Sequence, residues 1–390
     1  MKKILIVNNN MQIGGVQKSL VNLLREIHNQ YEVTLYLFSA HGKYLKDVPE
    51  NVRILECHGL FRYLGVSQGQ CRGVDKLKRG ILALICRLFG RNRVMKILLA
   101  GQEMLDEEFD CAIAFLHNGN IRNFYGGVQE FVLERTKAQR KVAFLHCDYS
   151  QSGANHIYND DLLDRFDQFA ACSESCREVL FSTIPSRIAE KCMTVRNCHD
   201  FEEIRKMADD DPVEYPTDCE NVLMVSRLTH EKAVERGIEA VAFARKQGKN
   251  VRLHIVGDGP KKAMLMKEAN KWGIGEYVHF YGEQENPYRY MINADLFMMT
   301  SYHEAAPMVI EEALYLGLMV LTVETRSSRE WEKWHDHLLV CNNTQEALNK
   351  GLVDALDPVL RIMIYRSLFL HLGSNAQALE QFEELIEGRP

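Results

Sequence analysis

One pattern recurs along this chain and fixes most of what it can fold into. A short apolar run ends in a loop rich in Gly, Ser or Asn, and a stretch with apolar residues at helical spacing comes next. Ile4 to Val7 is such a run, Asn8 to Gly15 is the loop, and Val16, Leu20, Leu23, Leu24 and Ile27 mark one face of a helix. Tyr31 to Phe38, Val52 to Leu55, Cys111 to Leu116, Val142 to Leu145 and Phe169 to Cys172 read as further strands. The rhythm restarts with strand Asn221 to Val225 and helix Val234 to Lys246. Strand Val251 to Val256, helix Pro260 to Trp272, strands Val278 to Tyr281 and Asp295 to Met299, helix Pro307 to Leu316 and strand Met319 to Thr322 continue it. Strands alternating with helices predict an α/β fold with parallel sheets covered on both faces.

The restart predicts two doubly wound, Rossmann-like domains. Residues 1–208 form the first, 209–219 a linker marked by Asp209, Asp210, Asp211, Pro212 and Pro216, and 220–372 the second. Residues 373–390 carry an amphipathic helix over Ala376 to Ile386, expected to pack back on the first domain. A chain of 390 residues suits two such domains. Ligands of these folds bind outside the carboxyl ends of strands, so a cleft between the domains is the expected site.

Composition removes several function classes. A formal net charge of −6 speaks against a nucleic-acid binder. The 11 cysteines are scattered with no CxxC pair, which fits a reducing cytosol better than a zinc ribbon or disulfide framework. The apolar run after Met1-Lys2-Lys3 stops at Val7, too short for a signal peptide, and no stretch approaches the ~20 apolar residues of a membrane span. The expectation is a cytoplasmic chain, at most peripheral at the inner face of the plasma membrane.

Three loops hold the residues that could carry chemistry. Gly14 and Gly15 end the first loop, where a tight turn and an anion site at a helix N-terminus are equally good readings. Ser226-Arg227-Leu228-Thr229-His230-Glu231-Lys232 follows a strand end; its Arg227 and Lys232 read either as a solvated surface or as a phosphate grip. Gly257-Asp258-Gly259-Pro260 repeats the strand–turn–helix pattern, with Pro260 suited to a first helical position. Thr300 to Ala313 places Glu304 before the helix that Pro307 opens, and Glu312 in its second turn. Two carboxylates and a helix N-terminus could line one pocket for sugar hydroxyls and phosphate. The plainer reading makes Glu304 a dipole partner and Glu312 an exposed helix residue.

Taken in order, the glycine loop, S-R-L-x-x-x-K, G-D-G-P and S-x-x-E-x-x-P-x-V-x-x-E-A-L resemble the retaining glycosyltransferases of family 4. The likeness is strongest from Asn221 to Thr322. Asp110 to Phe115, Phe144 to Tyr149, Cys172 to Ser175 and Val195 to Asn197 look like landmarks of its bacterial polysaccharide-synthesis members. The resemblance implies a GT-B fold, two Rossmann-like domains facing across a cleft. It implies a nucleoside-diphosphate sugar as donor, a saccharide or lipid-linked saccharide as acceptor, and no metal or other cofactor. Arg227 and Lys232 would hold the donor diphosphate, Glu304 the donor sugar and Glu312 the ribose. Gly14 and Gly15 would approach the diphosphate from the opposite domain, Gly257 would lie in the donor site, and His146 would line the sugar pocket. The catalytic set so implied is Glu304, His146, Arg227 and Lys232. Two departures stand out: Ala305-Ala306 where relatives have Gly-Phe, and Arg326-Ser327 where relatives have a Gly-Gly loop, with Glu330 at the place of the usual loop glutamate.

From Arg72 to Lys96 the chain is strongly basic, with Lys76, Lys78, Arg79 and Arg87 among apolar residues such as Leu77, Ile81, Leu84 and Leu88, against the single acid Asp75. The stretch reads either as an acceptor-side surface for an anionic membrane or as a packed helix with a solvated basic face. Two rival functions stay open on the sequence: a sugar-nucleotide epimerase or phosphorylase on the same fold, and a catalytically silent membrane- or partner-binding protein.

Overall fold

The computed structural model describes residues 1–67, 69, 71–120, 123–333, 335–359 and 373–388. The chain divides into two compact units, Met1–Cys198 with Asn375–Pro390, and His199–Ser374. The last part of the expected second domain, 360–372, and the terminal residues 389 and 390 lie outside the described residues.

The first unit holds β1 (Lys3–Asn8), α1 (Gly15–Ile27), β2 (Glu32–Leu37), β3 (Arg53–Glu56), α2 (Gly73–Phe89), α3 (Arg91–Ala100), β4 (Glu108–Ala114), α4 (Val128–Arg135) and β5 (Lys137–Leu145). It continues with α5 (Ile157–Asp164), β6 (Gln168–Ala171), α6 (Glu174–Thr183), α7 (Ser186–Ala189) and β7 (Cys192–Thr194). Its strands pair in parallel in the order β3-β2-β1-β4-β5-β6-β7, with Ile4 beside Val33 on one side and Cys111 on the other. The unbroken apolar run in the sequence is explained by burial: Ile4, Leu5, Ile6 and Val7 are all fully buried, as a strand covered on both faces requires.

The second unit holds α8 (Phe201–Asp209), β8 (Glu220–Val225), α9 (Val234–Lys246), β9 (Val251–Val256), α10 (Lys262–Lys271), β10 (Val278–Gly282), α11 (Tyr288–Met291) and β11 (Leu296–Met299). α12 (Met308–Tyr315), β12 (Val320–Val323), α13 (Ser328–Glu332), β13 (Leu338–Cys341) and α14 (Gln345–Ala355) complete it. Its sheet is parallel in the order β10-β9-β8-β11-β12-β13. In each sheet the order reverses once, between β1 and β4 and between β8 and β11. A crevice opens outside the strand ends at such a reversal, which marks where a ligand can enter.

The boundary falls before the expected linker. α8 buries Ile204 and Ala208 among Phe297, Tyr288 and Met291 of the second unit. The acidic stretch after it is tied to the same unit: Val213 N donates to Arg289 O at 2.9 Å and Tyr215 Oη to Tyr290 O at 2.9 Å. The last helix, α15 (Ala376–Glu387), belongs to the first unit. It buries Phe382, Leu385 and Ile386 beside Ile4, Val142 and Phe144, each such side chain contributing about 2 kcal/mol. Arg140 Nε, on β5, donates to Leu385 O at 2.9 Å.

The eleven cysteines are free. Among the described residues no helix is long and apolar enough to cross a membrane.

Candidate functional site

The reversal between β8 and β11 gathers the second unit's candidates. β8 ends at Val225, and the buried Leu228 anchors the loop after it. That loop stacks on the G-D-G-P loop through the backbone: Ser226 N donates to Val256 O at 3.0 Å, Leu228 N to Asp258 O at 2.9 Å and Lys261 N to Leu228 O at 3.1 Å. Gly257 is required by this stacking. Its φ is +136°, and a Cβ there would lie 1.9 Å from Ser226 O. Pro260 lies in the turn before α10, which starts two residues later than expected at Lys262.

The loop turns a strained corner at Ala233, a non-glycine residue with φ 46°. Thr300 Oγ1, just past β11, holds the corner by donating toward Lys232 O at 3.1 Å and Ala233 O at 2.9 Å. The corner delivers Lys232 to Glu304: Nζ lies 2.5 Å from Oε1, with side chains 20% and 12% exposed. The loop carrying Glu304 is fixed on three sides. Tyr302 N donates to Glu231 O at 2.9 Å, and Asn343 Nδ2 to Tyr302 O at 3.2 Å. The buried Arg236 reaches Asn343 Oδ1 at 2.6 Å and Thr300 O at 3.2 Å, its guanidinium 5.4 Å from the Tyr302 ring centre.

Glu312 is buried on α12, so the reading of it as an exposed helix residue does not hold. Its neighbour Glu311 pairs with the buried His199. Arg227 stays apart from the Lys232–Glu304 pair: its side chain is 69% exposed and lies 3.4 Å from Glu231. Burial alone would raise the Glu231 carboxyl, but the Thr229 hydroxyl, its own backbone N–H and the nearby Arg227 and Lys232 hold it below the usual range.

The loop after β12 closes the strand-end row. Thr325 N donates to Ser328 Oγ at 2.7 Å and Asn343 Nδ2 to Glu324 O at 2.9 Å. Arg326 is exposed, Ser327 is buried, and Glu330 lies in the first turn of α13. Four hydroxyls were given no role in the sequence reading. The side-chain oxygens of Ser226, Ser301, Thr325 and Ser327 are buried without a hydrogen-bond partner, each shortly after a strand at or beside the reversal. The strands they follow, β8, β11 and β12, are neighbours in the sheet, an order that sequence spacing does not reveal.

In the first unit, Asn8, Asn9 and Asn10 are buried and bind backbone: Asn8 Nδ2 donates to Asn10 O at 3.0 Å and Asn9 Nδ2 to Leu64 O at 3.4 Å. Gly14 has extended backbone, φ 176°, and opens α1; a Cβ on Gly15 would meet nothing within 4 Å. Neither glycine is needed for a turn. The glycine that is needed, Gly42, has φ +128° and sits against the Met11 backbone.

His146 lies just past β5, stacked on Phe144 at 5.5 Å and tilted against Phe115 at 4.7 Å, the two phenyl rings touching each other at 4.9 Å. Burial, reinforced by His117, pushes its imidazole down to about 3 against a weaker opposing bond with the Phe115 backbone. His117, after β4, is driven by burial to about 4. His117 Nδ1 and His146 Nε2 are buried without hydrogen-bond partners. His117 was missed because a lone histidine beside an apolar run carries no signal of its own.

The basic stretch is two helices, α2 and α3, separated at Gly90 with φ +83°. Lys76, Lys78 and Arg87 are exposed. Arg79 is not, which corrects its assignment to the surface. Its Nε donates to Val66 O at 2.7 Å and its Nη2 to Phe124 O at 3.0 Å, because carbonyls left open by the loops beneath need a buried donor.

Residues 208–358 match the family described as "Glycosyl transferases group 1". The chain is 31% identical over 344 residues to the amylovoran biosynthesis glycosyltransferase AmsD of Erwinia amylovora, covering 84% of this chain and 82% of that protein. It is 24% identical over 376 residues to the N-acetylgalactosamine-N,N'-diacetylbacillosaminyl-diphospho-undecaprenol 4-alpha-N-acetylgalactosaminyltransferase of Campylobacter jejuni, covering 92% and 91%. Against two further glycosyltransferases the chain spans only 36% and 35% of the relatives' lengths. HepE of Anabaena, solved with UDP and glucose, shares the fold: TM-score 0.64 at 16% identity, covering 100% of this chain and 99% of that one.

Proposed function

The chain belongs to the group 1 glycosyltransferases, and on that premise we propose that it moves a sugar from a nucleoside-diphosphate sugar to a saccharide acceptor in polysaccharide synthesis, retaining the anomeric configuration. One observation carries the reading: a lysine and a carboxylate from the two loops flanking the sheet reversal hold each other at the strand ends, which supports a phosphate on the one and a sugar on the other. Each satisfies the other's charge. A diphosphate draws Lys232 to itself, and Glu304 is left to accept hydrogen bonds from sugar hydroxyls. Glu312 takes the ribose diol, and Arg227 joins Lys232 on the diphosphate.

As the bond from the anomeric carbon to the phosphate oxygen breaks, its electron pair passes to the diphosphate, whose added charge the two cations stabilise without a metal. The acceptor oxygen bonds to the anomeric carbon on the face the diphosphate leaves, and its proton passes to the departing phosphate. HepE was solved with UDP and glucose, which supports a uridine donor. The Campylobacter relative is named for a saccharide on diphospho-undecaprenol, which supports a lipid-linked saccharide acceptor.

The test is incubation of the full chain with a panel of nucleoside-diphosphate sugars and undecaprenyl-diphosphate saccharides, with the product's anomeric configuration read by NMR. Transfer with retention, lost in Glu304→Gln, is the expected result. An inverted product contradicts retention, and transfer undiminished in Glu304→Gln contradicts the site. Parallel assays of Gly15→Val and His146→Asn examine the part expected of the first unit.

A further inference from the structure

The second unit begins at a buried histidine that lies outside the Lys232–Glu304 pair. His199 is its first residue, and its side chain is 2% exposed. Its Nε2 meets the Glu311 carboxylate on α12. Two residues on, Phe201 lies 4.8 Å from Tyr315 of the same helix, and the His199 and Phe201 rings stack at 5.4 Å. Glu311 and Tyr315 are four residues apart, so they share one face of α12. His199 and Phe201 grip that face together.

The segment that makes the grip is itself fixed. Between the two rings Asp200 caps α8, its Oδ1 accepting from Glu203 N at 3.0 Å. Further along the chain Gly373 lies against the Phe201 ring, where a Cβ would come within 2.3 Å of it. By contrast, α12 has only eight residues. A helix of two turns owes little of its stability to its own hydrogen bonds, so its placement follows from what packs against it. Ile310 and Ala313 seat it on the core, but apolar contact is non-directional and leaves its rotation loosely set. The bond from Glu311 to His199 is directional and supplies what is missing. Glu312, buried, is the next residue, about 100° further round the helix. Its carboxylate moves with whatever fixes Glu311.

We propose that His199 is a positioning residue for the donor: by holding Glu311 it sets α12 so that Glu312 meets the ribose diol. This rests on the ribose role given to Glu312 above. His199 touches no substrate and acts through the helix. The device needs both partners. Without His199 the Glu311 carboxylate turns to water, and without Glu311 the buried imidazole loses its carboxylate.

The test is calorimetric titration of the full chain with uridine diphosphate and with its dideoxyribose analogue, which lacks both ribose hydroxyls. Wild type is expected to bind the analogue at least about tenfold more weakly, the scale of hydrogen bonds to a carboxylate. His199→Leu and Glu311→Ala are each expected to shrink that ratio to about threefold or less, with affinity for the analogue within about twofold of wild type. Retained analogue binding reports a folded chain, whereas a merely structural loss weakens both ligands together. His199→Gln, whose amide can still donate to Glu311, is expected to keep most of the ratio. A His199→Leu chain that discriminates as wild type does, or that weakens both ligands equally, overturns the proposal and leaves the ribose role of Glu312 standing. Wild type that binds both ligands alike, or neither, overturns that role and the proposal with it, so the wild-type ratio tells the two failures apart.

Discussion

Lys232 Nζ lies 2.5 Å from Glu304 Oε1, and the two side chains come from the loops after β8 and β11, the strands between which the sheet order reverses. Each charge is mostly withdrawn from water, and each is neutralised by the other. A ligand phosphate must compete with Glu304 for the cation.

That competition has a measurable sign. Removing the carboxylate charge in Glu304→Gln frees Lys232, so nucleoside-diphosphate affinity should rise by at least about fivefold, the equivalent of the ~1 kcal/mol at the upper end for an exposed pair. Sugar transfer should fall by about a hundredfold, the scale of lost positioning. Calorimetry and product formation on one preparation check the two together. A variant that weakens diphosphate binding would show that Glu304 assists the phosphate site.

Glycines in the two units should respond in opposite ways. Gly257→Ala forces a Cβ to 1.9 Å from Ser226 O at φ +136°, a change expected to cost about 2–4 kcal/mol through strain and displaced backbone. Gly15→Ala opens onto empty space at the start of α1, and is expected to stabilise by about 0.4–1 kcal/mol. Urea unfolding of the two variants distinguishes them.

The paired imidazoles make the first unit sensitive to acid. His117 and His146 titrate near 4 and 3 in the fold, against 6.5 in the free side chain. Between those values the unfolded chain binds protons that the folded chain refuses, so their contribution falls as pH drops below 6.5 and is flat above it. His146→Asn should unfold with a shallower acid dependence than wild type. Urea midpoints at neutral pH and at pH about 4.5 supply the comparison.

The loop after β4 is held by a buried ion pair. Arg91 Nη1 meets Glu130 Oε1 at 3.0 Å, Arg91 Nη2 meets Asn118 Oδ1 at 3.0 Å, and Tyr158 Oη donates to Glu130 at 3.1 Å. Arg91→Met leaves the Glu130 charge uncompensated and should cost about 3–5 kcal/mol. Adding Glu130→Leu should recover a large part of that loss, which a double-mutant cycle measures.

The architecture was legible because each strand end carries its own punctuation. Val225 before Ser226, Val256 before Gly257 and Met299 before Thr300 mark the turns, and apolar residues at helical spacing mark the helices beyond them. β7 and β13 were not foreseen: Cys192–Thr194 and Leu338–Cys341 lie at the sheet edges, each defined by pairing with a single neighbouring strand. Lys232, Glu304 and Glu312 could be named from motif order, and the sheet reversal supplies the reason Lys232 and Glu304 meet. Arg79 was misplaced because charge was taken to imply exposure, whereas unpaired carbonyls at Val66 and Phe124 draw the guanidinium inward. The Arg91–Glu130–Asn118 network could not be seen, since its members are far apart in sequence and meet only through the packing of α3 and α4.

The central claim is that the strand-end site of the second unit binds the diphosphate of a sugar nucleotide through Lys232. Calorimetric titration of the full chain with nucleoside diphosphates, beside Lys232→Ala, tests it most directly. The account predicts selective binding of one diphosphate by wild type and a loss of about 1.5–3 kcal/mol in the variant, roughly ten- to a hundredfold in Kd. Equal binding by folded wild type and folded Lys232→Ala, or binding by neither, would contradict it.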